Sequence, residues 1–141
     1  MIIYSQVDPK WKDLKIGNTK MTIGSEGCYL TCISMIAGQT PDVVNNILTR
    51  HGGYNIQGLI LNDRAAQLLK MTYKLHTTPY VVSPSSFPII CETNHYWKLS
   101  YPQHFYILVD KSTRIDPLDK QPKPEPNTYN QVSFREFIKS A

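Results

Sequence analysis

The sequence predicts a single α+β domain over residues 1–141, with N-terminal helices packed on a C-terminal antiparallel β-sheet. Three observations predict it. Apolar residues recur at three- and four-residue spacing in the first half. The second half breaks into short β-rich runs between turn residues. Helical and strand segments are segregated along the chain rather than alternating, and no internal repeat is visible. A chain of 141 residues holds one core and is too short for two.

The first 24 residues read as irregular, with turns at Asp8-Pro9-Lys10-Trp11 and Gly17-Asn18. Tyr29, Cys32, Ile33, Ile36 and Ala37 predict a helix over 28–37, stopped by Gly38. Thr40 as N-cap, Pro41 at the first helical position and Asp42 at the positive helix end open a second helix. Val43, Val44, Ile47 and Leu48 form its apolar face, and Gly52-Gly53 ends it. Asn62 is expected to cap a third helix from Asp63 to Lys70. Strands are expected at Tyr80-Val81-Val82, Pro88–Cys91, His104–Val109 and Thr113–Ile115, with Asp110-Lys111-Ser112 as a hairpin loop. Four prolines between Pro117 and Pro126 predict an extended loop. Ser133-Phe134-Arg135-Glu136 matches a capping box and predicts a short terminal helix.

The composition, 41% hydrophobic and 18% charged, is that of a soluble globular chain. Its net charge of +4 comes from scattered lysines, a solvated surface rather than a nucleic-acid stripe. No apolar run spans a bilayer, so neither nucleic acid nor membrane is expected as a partner. Met1–Gln6 lacks the pattern of a signal peptide, so synthesis in the cytoplasm is expected, with action at a cell wall requiring release. Three cysteines make an odd count, which argues against a disulfide framework.

Cys28 stands where a loop becomes a helix, in Ser25-Glu26-Gly27-Cys28-Tyr29-Leu30-Thr31. A thiol on the first helical turn lies at the positive end of the macrodipole, the end that favours an anion. Gly27 removes a side chain, so that another molecule's backbone can approach the sulfur. Cys28 therefore reads as a nucleophile, with an inert buried cysteine as the alternative. Cys32 and Cys91 read as small core residues. Among the four histidines, His104 opens an apolar strand and suits acid–base work in a cleft. The alternative is a solvent-exposed strand end. His51 reads as a helix cap, while His76 and His95 lie in loops with no evident task. Asp116 ends the strand that hairpins back from His104, placing it to orient an imidazole; an ordinary Asp-Pro turn is the alternative. Gln6 is either an amide donor to an oxyanion or a surface residue. Cys28 and Cys32 lack a second ligand pair, so no metal is expected, and no phosphate-binding glycine loop or other cofactor motif is present.

Gln6-Val7-Asp8-Pro9-Lys10-Trp11, Thr22–Cys28 and Thr40–Asn45, followed by His104 and Asp116-Pro117, resemble the C39-like branch of papain-fold cysteine peptidases. The resemblance runs through nearly the whole chain in order. It implies a papain-like fold, Cys28 as nucleophile, His104 as general base, Asp116 as orienting carboxylate and Gln6 as oxyanion donor. Where many relatives have Gly-Cys-Gly-Pro-Thr, this chain has Tyr29 after the cysteine, which is expected to narrow the cleft. Gly-Cys-Tyr variants of phage-borne type imply a peptidoglycan-cleaving enzyme, a monomer acting on peptide or cell-wall peptide. The competing expectations are an inactive fold serving as a protein-binding module, and a specific protein-processing peptidase.

Overall fold

A computed structural model describes residues 1–94, 103–125 and 130–140. The helices come first. α1 (Ile23–Glu26) is a single turn opened by a capping box in which Thr22 and Ser25 exchange side-chain and backbone hydrogen bonds. α2 (Cys28–Ala37) follows after Gly27 alone, and every residue from Leu30 to Ile36 is buried. Its β-branched content is tolerated because burial of each large apolar side chain contributes about 1.5–3 kcal/mol, more than propensity costs. Gly38, at φ 75°, ends it in the left-handed conformation.

The α1–α2 junction is tight. A Cβ on Gly27 would stand 2.4 Å from the Ile23 carbonyl oxygen, so the turn that sets Cys28 at a helix start closes around a glycine. Gly27→Ala is expected to cost about 1–3 kcal/mol, the range for overpacking. An unchanged urea midpoint would mean the junction relaxes freely.

α3 (Pro41–Arg50) begins after Thr40 with Pro41 at its first position. Val44 and Leu48 are fully buried, while Val43 is 44% exposed and lies off the apolar face expected for it. The buried residue that the apolar spacing missed is Asn45. Its amide donates to the Lys15 carbonyl at 2.8 Å and accepts from the Tyr54 hydroxyl at 2.8 Å, fixing two loops to the helix. His51 is the C-cap residue of α3. α4 (Asn62–Leu68) starts at Asn62 rather than being capped by it. The Asn62 side chain instead accepts from the Tyr29 hydroxyl at 2.6 Å.

Six strands follow: β1 (Met71–Thr77), β2 (Ile89–Thr93), β3 (His104–Asp110), β4 (Thr113–Ile115), β5 (Lys123–Pro124) and β6 (Gln131–Lys139). They form one sheet in the order β1-β6-β2-β3-β4-β5, antiparallel throughout. The hairpin between β3 and β4 turns at Lys111-Ser112, with the Asp110 carboxylate accepting from the Ser112 amide at 2.8 Å.

Four sequence expectations differ from the structure. The C-terminal segment is a strand, not a helix, and lies between β1 and β2. The Ser133 hydroxyl donates to Glu92 on β2 at 2.8 Å instead of capping a helix. Phe134 and Phe137 are buried in different cores, on opposite faces of the sheet, as three-residue spacing in a strand requires. β1 was not expected, and His76 lies within it, its Nε2 2.6 Å from the Glu136 carboxylate. Among the described residues Tyr80-Val81-Val82 pairs with no strand: Val81 is 92% exposed, and the Tyr80 ring stacks on His76. β5, two residues long, interrupts the proline-rich loop; Pro126, like His95, lies outside the described residues.

The main core lies between the helices and the sheet face that carries Phe105, Ile107 and Phe137. A second core on the opposite face gathers Ile89, Cys91, Tyr106, Leu108 and Phe134 under Tyr80, Val82 and Phe87. Among the described residues no helix is long and apolar enough to cross a membrane.

Candidate active site

Gln6, Cys28, His104 and Asp116 come from four separate segments. The α1 turn and Gly27 deliver Cys28 as the first residue of α2. The ladder with β2 sets His104 opposite Thr93 at the start of β3, and the β3–β4 hairpin returns the chain so that Asp116 follows β4. His104 is 0% exposed and Asp116 1% exposed, which overturns the alternatives of a solvent-exposed strand end and an ordinary surface turn.

The His104 Nε2 stands 3.0 Å from the Asp116 Oδ1, and Cys28 lies close enough to the same ring to act on its protonation. Burial acting alone would lower the pKa of His104. Interaction with the Asp116 carboxylate, which accepts from the ring, and with Cys28 outweighs it and holds the ring at about 9. Asp116 is itself fixed by the Leu118 amide, which donates to its Oδ1 at 2.9 Å, and the Arg114 guanidinium lies 4.0 Å from its Oδ2.

Gln6 is 1% exposed and is not a surface residue. Its backbone N–H donates to the Pro117 carbonyl at 2.7 Å, beside Asp116. Its side-chain amide donates to the Gly24 carbonyl at 3.1 Å, on the turn that leads to Cys28. The residue thus bridges the segment carrying Cys28 and the segment carrying Asp116. Its amide has a second N–H to offer.

The other two cysteines are poorly suited to react. Burial pushes the Cys32 thiol well above its ordinary value, and the nearby Asp116 carboxylate pushes it further. Burial also raises Cys91, to about 12. Among the described residues no group of three histidines, cysteines or carboxylates is arranged to hold a metal ion.

Beside Cys28 opens a cleft of about 360 Å³ whose walls include Met21, Tyr29, Tyr54, Leu59 and Phe105. Tyr29 forms a wall of this cleft without filling it. Its ring packs on Phe105 with centroids 4.4 Å apart, and its hydroxyl is anchored on Asn62. The Arg135 guanidinium lies about 5 Å over both rings, 5.1 Å from Tyr29 and 5.0 Å from Phe105. Arg135 pairs in turn with the Glu92 carboxylate at 3.2 Å, which also accepts from Gln103 at 2.5 Å. Burial would raise the pKa of Glu92; the bonds from Gln103 and Ser133 and the Arg135 charge together bring it below its usual value.

This polar brace under the cleft was missed by sequence reasoning, because Arg135 was read as part of a helix cap. The alternation of Ser133, Arg135 and Phe137 with Phe134 and Glu136 was the signal of a strand that would carry Arg135 toward the helices. Compared with protein-family models, with curated proteins and with solved structures, the chain has no match.

Proposed function

We propose that the protein is a cysteine hydrolase of papain-like arrangement that cleaves an amide or peptide bond. One observation carries this reading: a buried histidine sits between a thiol at a helix start and a buried carboxylate. Cys28 as thiolate attacks the carbonyl carbon of the amide. The oxyanion that forms is met by the Gln6 amide and the Cys28 backbone N–H. His104, held protonated near neutral pH, gives its proton to the nitrogen as the C–N bond breaks, leaving a thioester on Cys28. The neutral ring then takes a proton from water, whose oxygen attacks the thioester. The acid product leaves, and the thiolate–imidazolium pair is restored. Asp116 fixes the tautomer of His104 and supports its positive charge. The resemblance to C39-like peptidases supports the same assignment of roles, with cell-wall peptide and a processed protein as the substrate classes it implies.

Thiol alkylation tests the reading without a known substrate. Iodoacetamide near pH 7 is expected to modify Cys28 at least tenfold faster than Cys32 or Cys91, both of which burial holds as thiols. Peptide mapping by mass spectrometry gives the three rates. Equal rates for all three would remove the claim that Cys28 is an activated nucleophile.

A further inference from the structure

We infer that the substrate is a peptide carrying a bulky apolar side chain next to the scissile amide, seated between Met21, Tyr54, Leu59, Ile60 and Phe105. This rests on the hydrolase reading, because Cys28 lines the same cleft. Its volume of about 360 Å³ falls within the ~300–1,000 Å³ usual for ligand pockets. The charge in the cleft is already spoken for. Arg135 is occupied by Glu92 and by the two aromatic rings, which leaves the Glu26 carboxylate as the lining charge without an ion-pair partner among the described residues. Among the described residues such a cleft offers no unpaired cation to a carboxylate.

The loop over residues 53–61 lines one side of this cleft through Tyr54, Gly58, Leu59 and Ile60. It is firmly built: the Asn55 side chain accepts from the amides of Gln57 and Leu59, each at 2.9 Å. Tyr54 and Ile60 form a bridge, and the Leu61 amide donates to the Gly53 carbonyl at 2.9 Å. Gly58, at φ +82°, packs so closely that a Cβ there would meet Thr19 Cγ2 at 2.6 Å. Yet this rigid loop holds Leu59, a residue of the cleft wall, 59% exposed. A loop held this firmly cannot fold Leu59 away from water, and an exposed apolar side chain on an apolar cleft wall beside Cys28 suits contact with an apolar group. Wall stem peptides, whose side chains are methyls, carboxylates and amines, fit it poorly.

The test is digestion of a mixed peptide library, with purified peptidoglycan in parallel and cleavage sites read by mass spectrometry. Cuts beside Leu, Ile, Met or Phe are expected to exceed those beside Gly or Asp by about tenfold to hundredfold. Leu59→Asp, at an exposed position, should erase most of that preference while keeping the urea midpoint. Calorimetry on Cys28→Ala, with blocked Leu- and Phe-containing peptides against their Gly counterparts, reads the pocket apart from the chemistry. Cys28-dependent cleavage without side-chain preference, or of peptidoglycan alone, overturns the inference and leaves the hydrolase reading standing. Apolar-selective binding without any turnover keeps the pocket and removes the hydrolase. Neither binding preference nor turnover removes both.

Discussion

Cys28→Ala is expected to abolish hydrolysis, with a fall of at least about 10³-fold, while the protein folds as before. Removing the nucleophile of a covalent mechanism leaves only what binding and the oxyanion donors supply, so the loss is not shared out among the other site residues. The fold should survive because Cys28 is small and sits at the end of α2, 8% exposed at the margin of the core. A change of about 1 kcal/mol in stability is the expected scale. Cys32→Ala makes the informative contrast: its side chain is 0% exposed within the core, so it should lose stability and keep turnover. Turnover of a cleaved library peptide and the urea midpoint, taken on both variants, check the pair. Full activity in Cys28→Ala would end the covalent mechanism.

The grouping of Cys28, His104 and Asp116 was more legible than the sheet that supports half of it. Cys28, His104 and Asp116 announce themselves by local context: a thiol after a glycine at a helix start, a polar ring opening an apolar strand, a carboxylate closing the next. Those contexts are set by neighbours in sequence. The bounds of α2 at Cys28–Ala37 and the β3–β4 hairpin were legible for the same reason. β6 was not, because what makes Gln131–Lys139 a strand is pairing with β1 and β2, tens of residues upstream. Ser133 followed three residues later by Glu136 satisfies a local helix rule. Tertiary partners take both side chains instead: Glu92 receives the Ser133 hydroxyl, and Glu136 receives His76 and Ser86. Tyr80-Val81-Val82 failed in the opposite sense. Its residues favour strand, but Pro79 and Pro84 flank it without amide donors, and Val81 is left in water.

Stability is expected to fall by about 3 kcal/mol as pH rises from 6.5 through 9, and Asp116→Ala should remove that slope. The pKa of His104 is raised from 6.5 to about 9: burial pulls it down, and the bonds to Asp116 and Cys28 overcome that pull. Because the folded value is the higher one, the native state binds the proton more tightly than the unfolded chain does. The contribution is complete below pH 6.5, declines between 6.5 and 9, and is absent above. A raise of this size corresponds to about 3 kcal/mol, and both partners are buried, so solvent screens little of it. Asp116→Ala takes away the carboxylate but leaves the burial, so the ring loses its chief support and its pKa falls toward or below the ordinary value. Breaking a buried pair from one side also costs about 3–5 kcal/mol near neutrality. Asp116→Asn retains an oxygen for the Leu118 amide and should lose the pH slope at a smaller overall cost. Urea midpoints at several pH values, with the His104 ring followed by NMR titration, measure both quantities. If Asp116→Ala unfolds with the same slope as the wild type over this window, the His104–Asp116 pair is not what holds the proton, and the proposed mechanism loses its acid.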